Sequence, residues 1–297
     1  MTSLSGVLVI DKSRGPTSHD VVARLRRALV TRDVGHAGTL DPMATGVLVA
    51  LIGQATKLAP YLTAADKEYE ATIALGVETD TLDAEGKVSR EMPVDEGVLG
   101  NLPLERALDV ERARTFQTPP AYSAIHVGGE RAHAKARRGE GVLLAPRPVL
   151  VESLEVLDTG LDPTPWVTLR ARVGKGYFVR SLARDFAAAL GTIGHLAALR
   201  RTCSGSFALA EAVAVEASTE ELRARLLPLG VAASRALPVA RLTEVGARDA
   251  RFGRAVHASD LDAPGTGICA WLDANAALVA IGDVGPDGAG RVVRGFA

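Results

Sequence analysis

The sequence predicts an α+β fold, and three observations lead to that class. Two short apolar runs, residues 6–11 and 47–52, have the length and composition of buried strands. Three further segments alternate apolar and polar residues, as half-buried strands do: 66–76, 149–157 and 166–174. Helical patterns separate these strands, and the last 60 residues are short apolar runs punctuated by Gly and Pro. We therefore expect helices and strands in a larger domain, followed by a small β-rich module.

Length and composition limit the class of protein. A chain of 297 residues predicts about two domains, and Ala236–Pro238 is the expected boundary, giving domains 1–235 and 236–297. Hydrophobic residues make up 47% and charged residues 23%, which is typical of a soluble globular protein. The sequence contains neither an apolar run of 18 residues nor an export signal, so we expect no membrane span. Cys203 and Cys269 have no metal-ligand spacing, which indicates a reducing cytoplasm, no metal and no thiol nucleophile.

The charges are segregated along the chain although the net charge is only −1. Residues 1–60 carry seven Lys or Arg against four Asp or Glu, and residues 165–206 carry seven against one. Residues 78–111 carry ten acidic side chains against three basic ones. Such segregation allows one basic face that contacts a nucleic-acid backbone. Solvated surface arginines explain the same counts, and both interpretations stay open.

The N-terminal elements follow from local pattern. After the strand at 6–11, residues 12–17 are a basic loop rich in turn formers. A helix is predicted from Ser18 onward, since Thr17 and Asp20 have capping-box spacing with Asp in place of Glu. Its apolar residues fall on one helical face (Val21, Val22, Leu25 and Leu29).

The stretch GHAGTLDPMATGVL, residues 35–48, is the densest cluster of chemically informative residues. Three glycines in fourteen residues indicate backbone that turns sharply or lets another molecule approach closely. Pro42 disfavours the helical conformation for Asp41 and holds its carboxylate on an extended turn. The stretch is either a loop that presents a catalytic carboxylate near His36 or an ordinary Gly-rich turn with a structural Asp.

A short helix is predicted at 53–63, followed by a strand at 66–76 with Tyr69, Ala71, Ile73 and Leu75 on one face. Tyr69 is either a core residue or a platform on which a pyrimidine stacks. The acidic residues Asp80 and Asp83 lie in a Thr-rich turn, which favours the capped end of a hairpin over a metal site.

Five further helical segments are predicted downstream. One lies near 105–115, and a basic helix end lies at 131–139. A Gly-flanked turn at 174–176 leads into a helix that continues to Leu190, and residues 194–203 are expected to form a short helix leading to a strand. A last helix is predicted at 218–227.

Several of these segments resemble motifs of the TruB family of tRNA pseudouridine synthases. The stretch at 35–48 is similar to the family's catalytic motif almost letter for letter, and DKSRGPTSHDVV resembles the family's first motif. DKEYEATIALGVETDTLDAEG, QTPPAYSAI, GKGYFVRSLARD and GHLAALRRT resemble later ones. The sequence departs from the family pattern at four positions: Ser13 replaces Pro, His126 replaces Lys, Tyr177 replaces Thr and Phe178 replaces Tyr.

The resemblance implies a pseudouridine synthase fold, with a mixed, mainly antiparallel central sheet flanked by helices and loops. It also implies that the C-terminal module is similar to a PUA domain and binds RNA. The implied activity is isomerisation of uridine 55 to pseudouridine in the T-arm loop of tRNA, by base flipping and without cofactor or metal. We expect a monomer that needs no protein partner.

The resemblance also implies roles for individual residues. Asp41, Tyr69 and Arg180 are the predicted catalytic residues, with Arg180 holding the Asp41 carboxylate ionised and oriented. The predicted substrate-binding residues are Lys12, His36, Gly38, Lys175, Phe178 and Leu199. Because Phe178 lacks a hydroxyl group, proton transfer is assigned to Tyr69.

Three other functions are compatible with parts of the sequence. One is a non-catalytic RNA-binding or RNA-folding protein, a role that an active enzyme can also have in addition. Another is a guide-RNA-dependent relative, for which a longer and more basic C-terminal region is expected. A hydrolase with Asp41 as nucleophile would need a second acid/base carboxylate, which the sequence does not identify.

Overall fold

The computed structural model describes residues 4–296, and the chain divides into two compact units. The first unit comprises the chain up to Pro42, Gly46–Ala65 and the chain from Ser204 onward. The second comprises Met43–Thr45 and Asp66–Cys203. The predicted domains 1–235 and 236–297 include residues 1–3 and 297, which lie outside the described residues, and their boundary stays a prediction.

The N-terminal part of the first unit contains three strands and two helices. These are β1 (Gly6–Lys12), α1 (Ser18–Ala28), β2 (Val34–Ala37), β3 (Thr45–Ile52) and α2 (Ala59–Ala64), with a 3₁₀ turn at Gly53–Leu58. Both β1 and β2 pair with β3 in antiparallel fashion, so β3 has neighbours on both sides. Its residues from Gly46 to Ile52 are all buried, which explains why its sequence is a continuous apolar run.

Helix α1 begins with the predicted capping box. The amide of Asp20 donates to Thr17 Oγ1 at 3.1 Å, and the amide of Thr17 donates to Asp20 Oδ2 at 2.8 Å. Thr17 Oγ1 also donates to Asp20 Oδ2 at 2.7 Å, and this bond, together with the one from the Thr17 amide, lowers the pKa of the Asp20 carboxyl. The predicted apolar face of the helix is buried, since Val21, Val22 and Leu25 are at most 4% exposed. The capping box therefore fixes the first residue of the helix, Ser18.

The second unit contains the next ten strands and three helices. In chain order they are β4 (Lys67–Leu75), β5 (Val77–Thr79), β6 (Val88–Glu91), α3 (Asn101–Arg112), β7 (Phe116–Gln117), β8 (His126–Val127), β9 (Glu130–Arg131), α4 (Ala132–Arg137), β10 (Arg147–Pro148), β11 (Val151–Gly160), β12 (Trp166–Val173), α5 (Val179–Ala189) and β13 (Gly194–Ser204). The sheet of this unit has the strand order β11-β12-β4-β13. Helix α5 contacts both α3 and β4.

Strand β4 has the alternation that the sequence predicts. Lys67, Tyr69, Ala71, Ile73 and Leu75 are buried, and the residues between them are partly exposed. The strand pairs with β12 in antiparallel register from Ala74 opposite Trp166 to Lys67 opposite Val173. One side chain in two therefore packs into the core of the unit.

The predicted short helix within 194–203 is wrong, because β13 is extended from Gly194 to Ser204. The amide of Leu196 donates to the carbonyl of Leu82, and its carbonyl accepts from the amide of Ala84, both at 3.0 Å. An added Cβ at Gly194 would lie 2.7 Å from the carbonyl oxygen of Ala74. The two hydrogen bonds of Leu196 use backbone groups that a helix would need, and the close approach of Ala74 fits the small Gly194. These long-range contacts outweigh the helical preference of a segment rich in Ala, Leu and Arg.

The chain from Ser204 onward completes the first unit. Its elements are β14 (Phe207–Ala208), β15 (Val213–Ala214), α6 (Thr219–Ala224), α7 (Leu229–Ser234), β16 (Val239–Leu242), α8 (Glu244–Arg251), β17 (Leu261–Asp262), β18 (Gly267–Leu272), β19 (Leu278–Val284) and β20 (Gly290–Gly295). Strand β15 pairs with β1 in parallel. The last five strands form a sheet in the order β17-β16-β18-β19-β20, which confirms the predicted β-rich C-terminal part. Most strand pairs are antiparallel, while β16 and β18 run parallel.

Candidate active site

Asp41 lies on the connection between β2 and β3. These two strands form a hairpin with His36 opposite Ala50 and Ala37 opposite Val49. The connection begins at Gly38, which has a φ of 92°, and Gly46 near the start of β3 has a φ of 96°. Side chains rarely adopt such values, so both glycines permit turns that other residues would resist. Asp41 is half-buried on this connection.

The backbone on both sides of Asp41 is held by residues of the segment 12–18. On the N-terminal side, Ser18 Oγ accepts from the amide of Leu40 at 2.9 Å and donates to its carbonyl at 3.1 Å. On the C-terminal side, the carbonyl of Pro42 accepts from the amide of Gly15 at 2.9 Å and from Lys12 Nζ at 3.3 Å. Asp41 is therefore presented on an anchored loop.

The first unit thus contains four of the predicted site residues: Lys12, His36, Gly38 and Asp41. Lys12 is fully buried beneath the loop, and its ammonium also donates to the carbonyl of Ser13 at 3.1 Å. His36 makes an edge contact with His19, and the two ring centroids lie 6.0 Å apart. His19 therefore joins His36 in β2 to the N-terminal turn of α1.

The second unit contains the other five: Tyr69, Lys175, Phe178, Arg180 and Leu199. Tyr69 lies on the buried face of β4 and is 9% exposed. Leu199 lies on β13, is 7% exposed, and its carbonyl accepts from Thr45 Oγ1 at 3.4 Å. Lys175 is exposed on the turn before α5, where Gly176 has a φ of 86°.

Arg180 lies in the first turn of α5, where its positive charge opposes the helix dipole and favours an acidic partner. Its Nη1 lies 3.5 Å from Asp83 Oδ2, and both side chains are close to nine-tenths buried. The same guanidinium donates to the carbonyls of Thr81 and Tyr122, at 3.2 and 2.9 Å. Asp83 also accepts from Thr81 Oγ1 and from the amide of Glu85, as expected for the capped end of a hairpin.

The backbone of Phe178 is held by the side chain of Gln117. The Gln117 amide group accepts from the amide of Phe178 at 2.9 Å and donates to its carbonyl at 3.2 Å. Nearby, Ser181 Oγ donates to the carbonyl of Thr118 at 2.9 Å. The segment that begins at Gln117 therefore fixes the entry into α5, directly before Arg180.

A buried charged cluster lies next to this entry. Burial raises the pKa of Tyr177, and the negative charge of Glu111 acts in the same direction. Burial also raises the pKa of Glu111, against the opposing effect of its hydrogen bonds from Arg114. Arg114 Nε donates to Glu111 Oε2 at 2.8 Å.

Sequence reasoning missed the supporting roles of Ser18, Asp83 and Gln117. Each lies in a segment with a recognisable motif, but each acts through a residue far away in sequence. Ser18 and Leu40 are 22 positions apart, and Gln117 and Phe178 are 61 apart. The pairing of Asp41 with Arg180 stays a prediction, as do the roles of the other site residues.

The described part of the chain contains neither a metal-binding cluster of side chains nor a membrane-spanning helix. Among residues 4–296, His, Cys, Asp and Glu side chains form no group of three or more that could hold a metal ion. Within the same residues, no helix has both the length and the apolar composition needed to cross a membrane.

Comparison with known proteins identifies the family. A family model for the N-terminal domain of TruB family pseudouridylate synthases matches residues 26–179. The chain belongs to the TruB family of pseudouridylate synthases. It is therefore an isomerase, and the predicted family is confirmed.

Two curated relatives illustrate how far the similarity extends. The tRNA pseudouridine synthase B of Nocardia farcinica is 50% identical over 225 residues, which are 75% of this chain and 72% of that protein. The protein of the same name from Mycobacterium sp. (strain KMS) is 43% identical over 289 residues, or 97% of this chain and 95% of that protein. The similarity thus includes the C-terminal sheet as well as the matched N-terminal domain.

Solved structures agree on the fold. A Cbf5–Nop10–Gar1 complex matches with a TM-score of 0.73 at 25% identity, covering 94% of this chain and 78% of that one. An H/ACA RNP bound to a substrate RNA containing 2'-deoxyuridine matches with a TM-score of 0.73 at 23% identity, covering 98% and 85%. The predicted pseudouridine synthase fold is therefore confirmed.

Proposed function

We propose that this protein converts uridine to pseudouridine in tRNA, and that its target is uridine 55 in the T-arm loop. The curated relatives from Nocardia farcinica and Mycobacterium sp. carry the name tRNA pseudouridine synthase B, which supports tRNA as the substrate. The observation that carries the proposal is the half-buried Asp41 carboxylate, presented on a loop whose backbone is anchored on both sides.

The reaction needs only groups that protein side chains supply. The glycosidic bond between N1 and C1′ breaks, the uracil rotates, and a bond forms between C5 and C1′. The proton on C5 then moves to the solvent or to a base, and N1 gains a proton. Substrate and product are isomers, so the reaction requires neither an oxidant nor a group donor.

Asp41 is the group that we assign to the first step. Its carboxylate either attacks the ribose at C1′ or removes the proton from C2′, and both routes need an ionised carboxylate of fixed direction. Anchoring of the Leu40 and Pro42 backbones supplies that direction before the substrate binds. To Arg180 we assign the role of keeping Asp41 ionised and oriented.

Other side chains are assigned to the base and to the RNA backbone. Tyr69 stacks on the uracil and takes part in the transfer of the C5 proton, with Phe178 and Leu199 as apolar contacts. His36 fills the space that the flipped base leaves in the loop. Lys12 and Gly38 build the floor of the site, and Lys175 contacts the backbone.

Further proposals concern the domains of the protein, its contacts with RNA and its state in the cell. The catalytic region extends to residue 235, and residues 236–297 form a PUA-like module that binds RNA. The basic segments contact phosphates, so that binding weakens as salt is added. The protein acts in the cytoplasm as a monomer without an obligatory protein partner, and it adds an RNA-folding role to catalysis.

The decisive experiment measures pseudouridine formation in an unmodified T-arm stem-loop RNA in the presence of EDTA. Wild type is expected to convert the target uridine, and Asp41→Asn is expected to bind the RNA without converting it. The matched control is Asp33→Asn, which changes an exposed carboxylate of the same unit and should retain the wild-type rate.

The outcomes separate the candidate functions. Conversion by wild type but not by Asp41→Asn supports a stand-alone synthase that needs no metal. Tight binding without conversion by wild type would contradict catalysis and favour an RNA-folding protein.

A further inference from the structure

The Ser18 side chain makes an unusual pair of contacts for a residue at the start of a helix. Its hydroxyl accepts from the amide of Leu40 at 2.9 Å and donates to the carbonyl of the same residue at 3.1 Å. Ser18 is 1% exposed and Leu40 is 3% exposed. One hydroxyl therefore satisfies both backbone polar groups of the residue that precedes Asp41.

The burial of this contact makes the hydroxyl difficult to replace. A serine hydroxyl has one donor and two acceptor sites, so it can serve an amide and a carbonyl at the same time. Buried backbone groups without a partner are strongly disfavoured. If the hydroxyl is removed, the Leu40 peptide groups must either stay unpaired or turn toward water, and turning them moves the adjoining Asp41.

We propose that Ser18 is a positioning residue that sets the direction of the Asp41 carboxylate. This inference rests on the proposed function, since it concerns the same reaction. The carbonyl of Pro42 is anchored separately by Gly15 and Lys12, so the loss of Ser18 removes the two bonds to Leu40 and leaves those to Pro42 in place. The loop then pivots instead of unfolding, and the carboxylate loses alignment with the ribose.

The neighbouring residue provides a matched control. Thr17 Oγ1 accepts from the amide of Asp20 at 3.1 Å in the exposed capping box of the same helix. Thr17→Ala therefore weakens the start of α1 without removing the contact to Leu40. A variant that acts only through the stability of α1 should behave like Thr17→Ala.

The test measures single-turnover conversion of the T-arm stem-loop RNA by wild type, Ser18→Ala, Ser18→Cys and Thr17→Ala. Misplacement of a reacting group by about 1 Å lowers rates by about 100-fold, so Ser18→Ala should be about 10- to 100-fold slower at saturating RNA. Its Kd for the RNA should change by less than about twofold, because the contacts that bind the RNA equally in the ground state and the transition state are retained. Ser18→Cys should recover part of the rate, since a thiol is a weak donor and acceptor.

Thr17→Ala should convert RNA at the wild-type rate while its melting temperature falls. Equal rates for Ser18→Ala and wild type would overturn the proposal. So would a loss of rate in Thr17→Ala as large as that in Ser18→Ala, because the effect would then come from the stability of the helix.

A second readout does not depend on activity. With ¹⁵N-labelled leucine, exchange of the Leu40 amide proton should be slow in wild type and Thr17→Ala and faster in Ser18→Ala. Unchanged exchange in Ser18→Ala would show that the hydroxyl does not hold the loop and would overturn the proposal even if the variant were too unstable to assay. If wild type converts no RNA, the proposed function fails, whereas the exchange data still decide whether the contact exists.

Discussion

At the scale of single residues, Lys67 has the most informative environment. It begins β4 and is 8% exposed. Burial lowers the pKa of its ammonium to about 8, Arg201 and Lys175 act in the same direction, and Asp66 opposes them. Between pH 8 and the ordinary lysine value of 10.5, the unfolded chain therefore binds more protons at this position than the folded chain does.

This difference predicts a pH dependence of stability. Because the unfolded state binds more protons, the free energy of unfolding should rise with pH between about 8 and 10.5. Lys67→Met removes the titrating group and should remove that rise, so the stability of wild type relative to the variant should increase across this range. Urea unfolding at several pH values measures it, with the exposed Lys87→Met as control. Parallel curves for wild type and Lys67→Met would contradict the assignment.

At the scale of secondary-structure elements, the entry into α5 depends on a segment far away in sequence. Gln117 is 1% exposed and makes two hydrogen bonds to the backbone of Phe178. Gln117→Ala leaves the amide and carbonyl of the half-buried Phe178 without these bonds, and the loss of such a bond typically costs about 0.5–1.5 kcal/mol. Since Arg180 follows two residues later, we also expect a lower rate of pseudouridine formation.

Urea unfolding and single-turnover conversion check this expectation together. Ser89→Ala is the control, because it removes an exposed hydroxyl that donates to the carbonyl of Glu78 at 3.2 Å in the same unit. An unchanged unfolding free energy in Gln117→Ala would show that water or a neighbouring side chain replaces the amide.

The sequence predicts those elements whose pattern is local and misses those that depend on distant segments. The capping box of Thr17 and Asp20 and the alternation of β4 depend on residues three or two positions apart, and both predictions are confirmed. Strand β13 depends on backbone bonds between Leu196 and the segment 82–84, which no local pattern contains. The sequence does not predict strand β2 for a related reason. The strand has only four residues, and two of them are half-buried, so its apolar pattern is too short to indicate a strand without the partner strand β3.

The candidate site has the same division. The residues of the loop left a catalytic and a structural role open for Asp41, and the motif resemblance suggested catalytic roles for Asp41, Tyr69 and Arg180, which stay predictions. The residues that hold them could not be recognised, because Ser18 and Gln117 act through backbone groups of distant segments, and a hydrogen bond to a backbone group leaves no pairing signal in one sequence. The hydrogen bonds of the structure are what identify Ser18 and Gln117 as supporting residues.

At the scale of the whole molecule, the first unit has a core that joins distant parts of the chain. Val49 and Leu51 of β3 lie in one buried cluster with Leu272 of β18 and Ile281 of β19. Because apolar contacts of this kind stabilise both participants, the N-terminal strands and the C-terminal sheet should unfold together. If the module that begins at residue 236 folded separately, its sheet would unfold without the N-terminal strands.

Ile281→Ala tests this coupling. Ile281 is fully buried, and truncation of such a side chain costs about 2–5 kcal/mol. We expect amide exchange to accelerate by the same factor in β3 and in β18–β20, because one opening exposes both. The half-exposed Val293→Ala on β20 should leave both regions unchanged. If exchange accelerates in β18–β20 alone, the C-terminal sheet opens as a separate unit, and the predicted boundary at residue 235 describes folding better than the shared core does.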